Sequence, residues 1–410
     1  AESMESTMVR FDVWLKRLLL VGFTTLLGLG AIEIALRLVY PVEPVFLRDD
    51  PVYGNFYKPG MKAHWLRETD EPVLVEINSK ALRDVERAYE KPPGSVRVLV
   101  LGDSMVGGFN VPLEHLLGRR LEHRLRAGGR APAAEVVSAG IQGFSTGQEL
   151  LFLRHEGLKY QPDVIVLVFY EGNDFLGNYA ETAARSRPSF SLEDGELRLH
   201  TPETNAWVLF LRDKVLARSA VAQALRRRLF HRFRALENAA TEAGLIITVP
   251  HEPRSEKTMQ EVARVTNALI AALDRESRAA GARFAVLMLP GGRSMRERLP
   301  PEYREGLPPL NPSLEEQNRR MNAALVGFLR GEAIPHVDAV ERFLEEVAQG
   351  REVYVDVAGH LTSHGHQVVA ELLYDLVSPM LDAPGAASER AAPGTPVATD
   401  RPAGDNRVEP

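Results

Sequence analysis

The sequence predicts an α/β protein built on a parallel sheet that helices cover on both faces. Five short, apolar, β-branched runs follow one another along the chain, and helical patterns separate them. The runs are 96–101, 135–138, 164–169, 284–289 and 334–337. Strands that alternate with helices form parallel sheets with both faces buried. In such sheets ligands bind beyond the carboxyl ends of the strands, so the residues that follow each run are the candidates for function.

Length, charge and cysteine content narrow the class of protein. The 410 residues suit one large α/β domain with extra segments, or two ordinary domains. A net charge of -6 argues against a general nucleic-acid binder. The chain has no cysteine, which excludes disulfides, thiolate zinc sites and a cysteine nucleophile.

Residues 1–41 predict a cytoplasmic tip and a transmembrane anchor. Residues 18–32 carry no charge, and a helix that continues to position 40 would be about 34 Å long, enough to span a bilayer. Glu33 and Arg37 lie four residues apart, so they can pair near the far end. Lys16 and Arg17 precede the apolar run, which places the N-terminus in the cytoplasm and the rest of the chain outside it. A cleaved signal peptide is the alternative, but no clear small-x-small cleavage site follows.

The remaining chain divides into three predicted parts. Residues 42–95 form a lead-in segment rich in proline and charge, and residues 96–382 form the main domain. The gap between the third and fourth strands is too long for one crossover and predicts an insertion at about 177–256, which could be a lid or a substrate platform. Residues 256–280 then form the crossover helix. The Ala-, Pro- and Gly-rich residues 383–410 predict a disordered tail.

The insertion carries signals of its own. Apolar residues alternate on both sides of Asp194-Gly195, which predicts a β-hairpin. A helical stripe follows, formed by Leu225, Leu229, Phe233 and Leu236. The arginines beside the stripe fit a solvated helix face, and binding of an anionic polysaccharide or lipid headgroup is the alternative.

Polar or glycine-rich residues follow the strands where a parallel sheet would place a site. Ser104 follows the first run in "LGDS", Gly143 follows the second in "SAGIQGFST", and Asn173 follows the third in "YEGNDF". Near the C-terminus, Asp356 and His360 precede a helix whose predicted N-cap is Thr362. The four pieces contain every group that a serine nucleophile needs.

A serine hydroxyl is a poor nucleophile unless a base removes its proton. The base needs an orienting carboxylate, and the tetrahedral oxyanion needs preorganised donors. Ser104 as nucleophile, His360 as base and Asp356 as orienting acid fill the first three places. The backbone amides of Ser104 and Gly143 and the Asn173 side chain are the candidate oxyanion donors.

The chain resembles the SGNH (GDSL-type) serine hydrolase family, and in particular its membrane-anchored bacterial members. Four blocks carry the resemblance: Ser104 in "GDSMVGG", Gly143 in "AGIQGFST", Asn173 in "EGNDF" and His360 in "DVAGHLTSHGH". The resemblance extends over about residues 75–380, including "INSKALRD" at 77–84. It implies a three-layer α/β/α, flavodoxin-like fold with a five-stranded parallel sheet.

The sequence departs from the family pattern in three places. Glu171 stands where the third block usually has glycine, and Ser138 stands where many members have asparagine. The acid and the histidine are commonly three residues apart, whereas Asp356 and His360 are four apart.

Structural alternatives exist for each candidate. Ser104 could be a helix N-cap, Gly143 a turn residue and Asn173 an Asx-turn residue. Asp103 and Asp174 are expected to bind backbone or to cap helices. His360, His364 and His366 invite a zinc interpretation, but no HExxH arrangement accompanies them, and we expect neither a metal nor a cofactor.

The sequence thus predicts an extracytoplasmic, membrane-anchored serine esterase that cleaves acetyl or lipid acyl esters. An acyltransferase that passes an acyl group to an envelope polysaccharide would use the same residues. A non-catalytic envelope subunit is the third alternative, favoured if the triad is misaligned. The expected partners are an acyl-ester substrate and the membrane, with no nucleic acid.

Overall fold

The computed structural model of the chain describes residues 2–39, 42–66, 68–69, 71–129, 131–202, 205–230, 254–291, 295, 298–299, 312–355 and 360–381. The helices are α1 Glu2–Val39, α2 Ser104–Gly107, α3 Leu117–Ala127, α4 Thr146–His155, α5 Asp174–Asn178, α6 Ala206–Phe210, α7 Ala220–Phe230, α8 Glu256–Ala279, α9 Pro312–Gly331, α10 Val340–Ala348 and α11 Ser363–Leu381. The strands are β1 Leu47–Asp50, β2 Gly54–Tyr57, β3 Lys62–Trp65, β4 Val73–Glu76, β5 Val96–Gly102, β6 Ala134–Gly140, β7 Val164–Tyr170, β8 Ser189–Glu193, β9 Glu196–His200, β10 Arg283–Leu289 and β11 His336–Asp338.

The central sheet has five parallel strands in the order β11-β10-β7-β5-β6. Numbered along the chain, this is the flavodoxin-like order 2-1-3-4-5. The predicted α/β class and the five-stranded parallel sheet are confirmed. The last strand begins two residues later than predicted, because Ala333 adopts a positive φ of 51° and the Ile334 amide still bonds Leu329 O at the end of α9.

Both faces of the sheet are buried, as the continuous apolar runs predict. On β5, Leu99 and Leu101 enter one core, which also contains residues of α4, α8 and α9. Val98 and Val100 enter the other core, which contains residues of α3, α10 and α11. The protein is therefore a three-layer α/β/α structure, and the carboxyl end of β5 lies between two other strand ends.

The lead-in segment forms two antiparallel hairpins, β1–β2 and β3–β4, that the sequence did not predict. All four residues of β2 are buried, so the strand lacks the alternation that marks a half-exposed strand. Phe46 and Trp65 from this segment pack edge-on against Phe109, which lies in the loop after α2. The hairpins are thus part of the main core and reach the loop beside Ser104.

The insertion begins with the predicted hairpin. Strands β8 and β9 pair antiparallel about Asp194 and Gly195, which have φ values of 51° and 86°. Two positive φ angles fit the tight hairpin turn that Asp-Gly favours. The predicted insertion helix corresponds to α7, whereas Phe233 and Leu236 of the predicted stripe lie outside the described residues. The crossover helix is α8, with Ser255 as its N-cap. The predicted tail, 383–410, also lies outside the described residues.

Helix α1 contains a candidate membrane span, Val13–Val39, whose apolar side chains are not buried against the protein. Arg37 Nε donates to Glu33 Oε1 at 2.7 Å, as their spacing predicts. The helix is long and apolar enough to cross a bilayer, and its C-terminal end contacts α7 of the insertion.

Candidate active site

The first three blocks meet at one edge of the central sheet. Ser104 follows β5, while Gly143 and Asn173 follow β6 and β7, the two strands that flank β5. Asp103 caps α2 by accepting the Met105 amide at 2.8 Å, so Ser104 is the first helical residue and is only half-buried. The N-cap role considered for Ser104 belongs to Asp103, which leaves the Ser104 hydroxyl outside the cap.

The Asn173 side chain joins the three blocks. Its Nδ2 donates to Asp103 Oδ2 at 2.8 Å and to Phe144 O at 2.9 Å. Phe144 directly follows Gly143, so one amide connects the Ser104 turn with the Gly143 turn. Both amide hydrogens are used in this conformation. An oxyanion could receive a bond from Asn173 only by taking the place of one of these acceptors.

Gly143 adopts a φ of 73°, and this turn has no room for a side chain. A Cβ there would lie 2.6 Å from Arg187 Nη2, and Arg187 Nη1 donates to Gly143 O. Within the described part of the chain, the backbone amides of Ser104 and Gly143 have no hydrogen-bond acceptor. These two amides are therefore available to a ligand at the sheet edge.

Arg187 is a buried cation that the sequence did not single out. It is about 4 % exposed, and burial lowers its pKa to about 10, while the Asp103 charge acts in the opposite direction. A lone arginine before a proline gives no pattern that would have identified it. Its guanidinium holds the Gly143 carbonyl, and its positive charge lies close to the Ser104 turn.

Backbone hydrogen bonds hold the chain on both sides of His360. The Val355 amide donates to His360 O at 2.9 Å, and the Thr362 amide donates to Val353 O at 3.0 Å. Thr362 Oγ1 accepts the Gly365 amide at 2.9 Å, which confirms Thr362 as the N-cap of α11. Asp356, the predicted orienting acid, lies outside the described residues, as do 357–359.

Glu68 provides a carboxylate that contacts His360. Its Oε2 lies 2.5 Å from His360 Nδ1, and both side chains are about three-quarters buried. Glu68 belongs to the loop between β3 and β4 and has a φ of 58°, which is unusual for a residue with a side chain. Nothing in the sequence pattern pointed to Glu68, because it is 292 residues from the histidine and outside the four blocks.

The Ser104 hydroxyl makes no hydrogen bond within the described part of the chain, so the expected contact with His360 is not formed. Burial raises the pKa of Asp103 in the first block, and the charge of nearby His360 partly offsets this effect. Hydrogen bonds between catalytic groups are often long in unliganded enzymes and shorten when substrate binds.

Three buried carboxyl groups lie below this edge. Burial raises the pKa values of Asp103, Asp174 and Glu149, and their mutual repulsion raises the last two further. Asp174 accepts the Tyr170 amide at 2.6 Å, and Asp103 caps α2, so both have the structural roles expected of them. Neither oxygen of Glu149 has a hydrogen-bond partner among the described residues, which favours its neutral form.

The segment "INSKALRD" supports the loop that follows Ser104. Arg83 is buried, and its guanidinium donates to the carbonyls of Gly107, Gly108 and Val111. Asp84 accepts the Ser138 amide of β6 at 3.1 Å. The segment therefore ties the Ser104 loop and β6 together.

Glu171 replaces the usual glycine of the third block without displacing Asn173. Its side chain accepts a hydrogen bond from Asn322 Nδ2 of α9 and faces Gly291, where a Cβ would lie 2.7 Å from Glu171 Oε1. Glu171 thus forms part of the wall beyond β7 and β10. The three histidines of the last block diverge: His364 contacts Glu346, His366 accepts the Leu117 amide, and His360 contacts Glu68.

An open cleft of about 610 Å³ begins at Glu68. Its walls come from the loop between β3 and β4, the loop after α2 and the segment next to His360. It is lined by Glu68, Thr69, Glu71, Pro72, Val73, Leu74, Asn110, Val111, Pro112, Leu113, Val355, Thr362 and Ser363. The cleft is apolar along much of its length and acidic beside His360.

The strand order is flavodoxin-like, and three of the four blocks that resemble the SGNH (GDSL-type) pattern meet at one edge of the sheet. Solved structures with a similar chain path include an acetyl xylan esterase, AlAXEase, at 12 % identity, covering 69 % of this chain and 100 % of that chain with a TM-score of 0.38. TesA is similar at 15 % identity, 69 % and 99 % coverage and a TM-score of 0.37. A GDSL-like lipase from Bacteroides thetaiotaomicron is similar at 14 % identity, 72 % and 92 % coverage and a TM-score of 0.36. No protein-family model and no curated protein matches the sequence.

Proposed function

We propose that the protein is a membrane-anchored serine esterase whose catalytic domain lies outside the cytoplasm. The observation that carries the proposal is the convergence at one sheet edge, where Asn173 bridges the Ser104 and Gly143 turns beside two backbone amides without acceptors. If Ser104 only capped a helix or formed a turn, the Gly143 and Asn173 blocks would not need to lie beside it. An acyl-transfer site needs the nucleophile and the oxyanion donors together.

Each group has a chemical role in this proposal. Ser104 Oγ attacks the ester carbonyl while its proton passes to His360 Nε2, and the Oγ–C bond forms as the carbonyl π electrons move to oxygen. The amides of Ser104 and Gly143 donate to that oxyanion. Its collapse breaks the bond to the alcohol oxygen, which takes the proton from His360. Water then attacks the acyl-enzyme carbonyl while His360 takes its proton. Collapse of this second tetrahedral intermediate breaks the Oγ–C bond, releases the carboxylic acid and returns the proton from His360 to Ser104 Oγ.

Glu68 is a positioning residue for His360 in this mechanism. Its contact with Nδ1 fixes the orientation of the ring, and proton transfer then falls to Nε2. A carboxylate beside Nδ1 also stabilises the imidazolium that forms when Ser104 loses its proton. Asp356 remains the sequence-based candidate for the same role.

The cleft that begins at Glu68 is our candidate site for the alcohol part of the ester. The leaving oxygen must lie next to His360 to receive its proton, and Glu68, which lines the cleft, contacts that residue. Its apolar walls suit a substrate with a hydrophobic portion, such as a lipid ester. An anchored enzyme outside the cytoplasm would meet such esters, or acetylated polysaccharides, in the cell envelope.

Labelling of the full-length chain with a fluorophosphonate tests the proposal. The probe forms a bond between phosphorus and an activated serine oxygen and releases fluoride. We expect labelling and hydrolysis of short acyl esters in the wild type, and loss of both in Ser104→Ala with retention of the fold by circular dichroism. Ser79→Ala is the matched control, because Ser79 is exposed and its hydroxyl bonds Glu86 and no residue of the candidate site. Full ester turnover by Ser104→Ala would overturn the mechanism.

A further inference from the structure

The short helical turns that follow β9 in the insertion expose a compact set of apolar side chains. We call residues 206–218 the interfacial segment; it comprises α6, a π-helical stretch over Leu211–Val215 and a 3₁₀ turn over Leu216–Arg218. Trp207 is 79 % exposed and Phe210 is 53 % exposed, and their rings meet edge-to-face. Leu211 and Val215 are also exposed. Spacings of three, four and eight residues from Trp207 place these side chains along one helical face.

This segment is attached directly to the C-terminal part of α1. The Glu33 carboxylate accepts hydrogen bonds from the Ala220 and Val221 amides and from Ser219 Oγ, at 2.8 to 3.0 Å. Glu33 therefore caps the N-terminus of α7, immediately after the interfacial segment. Arg37 Nη2 donates to Arg218 O at 2.6 Å, so the Glu33–Arg37 pair contacts the segment through both members.

Two further contacts join the insertion to the chain that follows α1. Arg212 of the interfacial segment forms an ion pair with Asp49 of β1. Gln223 Oε1 of α7 accepts the Glu43 amide at 3.0 Å. The segment is thus connected to α1 at Glu33 and Arg37 and to the lead-in at Glu43 and Asp49.

These contacts set the depth of the segment relative to a membrane. The uncharged stretch 18–32 spans about 22 Å, and the flanking residues complete the roughly 30 Å of a hydrocarbon core. Glu33 and Arg37 then lie at the outer boundary, because charged side chains are costly deeper in the bilayer. A segment held at Glu33 and Arg37 lies at the same boundary.

The amino-acid composition of the interfacial segment is typical of a helix at the boundary between membrane and water. Tryptophan is enriched at membrane–water interfaces, where its ring is partly apolar and its N–H can reach water or headgroups. Lys214 and Arg218 are exposed on the same segment and can approach anionic headgroups. Exposed aromatic and aliphatic side chains beside basic ones are the features of helices that lie in the interface plane.

We infer that the interfacial segment is a second membrane contact, which inserts Trp207, Phe210, Leu211 and Val215 into the outer boundary of the bilayer that α1 crosses. The inference rests on the proposed anchor, because continuity with α1 identifies the bilayer as the occupant of this surface. It adds that the insertion binds lipid. The catalytic domain would then be held against the membrane instead of swinging on the residues after Val39.

Spin labels at single cysteines test the inference, since the chain contains no cysteine of its own. Phe210→Cys and Val215→Cys report on the segment, and Leu26→Cys reports on the anchor. Leu74→Cys is the matched control, a leucine 41 % exposed on β4. The full-length chain is reconstituted in vesicles of phosphatidylcholine with and without phosphatidylglycerol. The accessibility of each label to oxygen and to a water-soluble nickel chelate is then measured.

We expect positions 210 and 215 to be more accessible to oxygen and less accessible to nickel than position 74, and shallower than position 26. A label at position 26 in the bilayer with labels at 210 and 215 in water would overturn the inference and leave the anchor standing. Labels at all three positions in water would overturn both. Spin–spin broadening between copies at position 210, without oxygen accessibility, would show that a second copy covers the surface and would also overturn it.

The fluorescence of Trp207 provides a second test, in which the segment itself carries no label. The chain has three tryptophans, of which Trp65 is buried and Trp14 lies in the anchor. In a Trp14→Phe background, lipids brominated near the headgroup should quench the emission of Trp207. Additional replacement of Trp207 by Phe should remove the quenched component. Equal emission in brominated and ordinary vesicles would contradict the inference, whatever the labelled variants show.

Discussion

At the residue scale, the contact that the sequence did not predict is the one between His360 and Glu68. The sequence pattern predicts Asp356, four residues before the histidine, as the orienting acid, and Asp356 lies outside the described residues; Glu68 contacts His360 Nδ1. A contact between residues 292 positions apart leaves no periodic or local trace in a sequence. A triad whose acid comes from the lead-in segment would make β3 and β4 part of the catalytic machinery.

Glu68→Gln and Asp356→Asn separate the two candidate acids. If Glu68 positions the base, Glu68→Gln should lower kcat by about 10²-fold or more, up to the order of 10⁴-fold seen when a serine protease loses this carboxylate. Asp356→Asn should then have a much smaller effect. The acid limb of the pH profile of kcat/KM should also move to lower pH in Glu68→Gln, because the imidazolium loses a stabilising negative charge.

The pH profile distinguishes positioning from mere structural support. A Glu68 that only stabilises the loop between β3 and β4 would change the thermal unfolding midpoint without moving the acid limb. A Glu68→Gln enzyme with wild-type kcat, together with an inactive but folded Asp356→Asn enzyme, would restore Asp356 as the orienting acid.

At the element scale, local patterns predicted the strands of the sheet, the β8–β9 hairpin and the crossover helix α8. These elements have continuous apolar runs, an Asp-Gly turn or a regular helical stripe. The lead-in hairpins were missed because β2 is buried throughout and so does not alternate. Ser104, Gly143 and Asn173 could be named because each follows a strand, and His360 because it lies in a block just before a helix. Glu68 and Arg187 could not, since tertiary packing alone brings them to the site.

His366 links α11 to the loop that follows Ser104, and its burial makes this link sensitive to acid. The Leu117 amide donates to its Nδ1 at 3.3 Å, and a Cβ at Gly108 would lie 2.6 Å from its Nε2. Burial, with a smaller contribution from the Arg83 charge, lowers its pKa from 6.5 to about 3. Between these values the unfolded chain binds a proton that the folded chain does not, so acid favours unfolding.

His366→Asn tests this link, because an asparagine oxygen can still accept the Leu117 amide but does not titrate. We expect the wild-type free energy of unfolding to include a contribution that is complete above about pH 6.5 and falls by up to about 1.4 kcal/mol per pH unit towards pH 3. The variant should lack this contribution. The raised pKa values of Asp103, Asp174 and Glu149 act in the opposite direction.

Because these carboxyl groups also titrate, the test compares the free energy of unfolding of wild type with that of His366→Asn at each pH. Denaturant titrations of the full-length chain in detergent at pH 7, 6, 5 and 4 would provide it. Parallel curves for wild type and His366→Asn would show that His366 is not the titrating group.

At the scale of the whole molecule, the anchor, the insertion and the active-site edge form one connected structure. Helix α1 contacts the insertion through Glu33 and Arg37, and the insertion begins directly after α5, which follows Asn173. Arg187 of the insertion holds the Gly143 turn. The orientation of α1 therefore decides which compartment the proposed esterase serves.

We propose the orientation from the charges that flank the apolar run. Lys16 and Arg17 precede it, and the positive-inside rule predicts that this end lies in the cytoplasm. Leu74→Cys should then react with a membrane-impermeant maleimide on intact spheroplasts. Residue 74 is exposed, and it follows the anchor in the chain, in the part that we expect outside the cytoplasm. Ser3→Cys, at the opposite end of α1, should react only after permeabilisation and is the matched control. Protection of position 74 until the membrane is opened would place the catalytic domain in the cytoplasm, and envelope esters would no longer be its substrates.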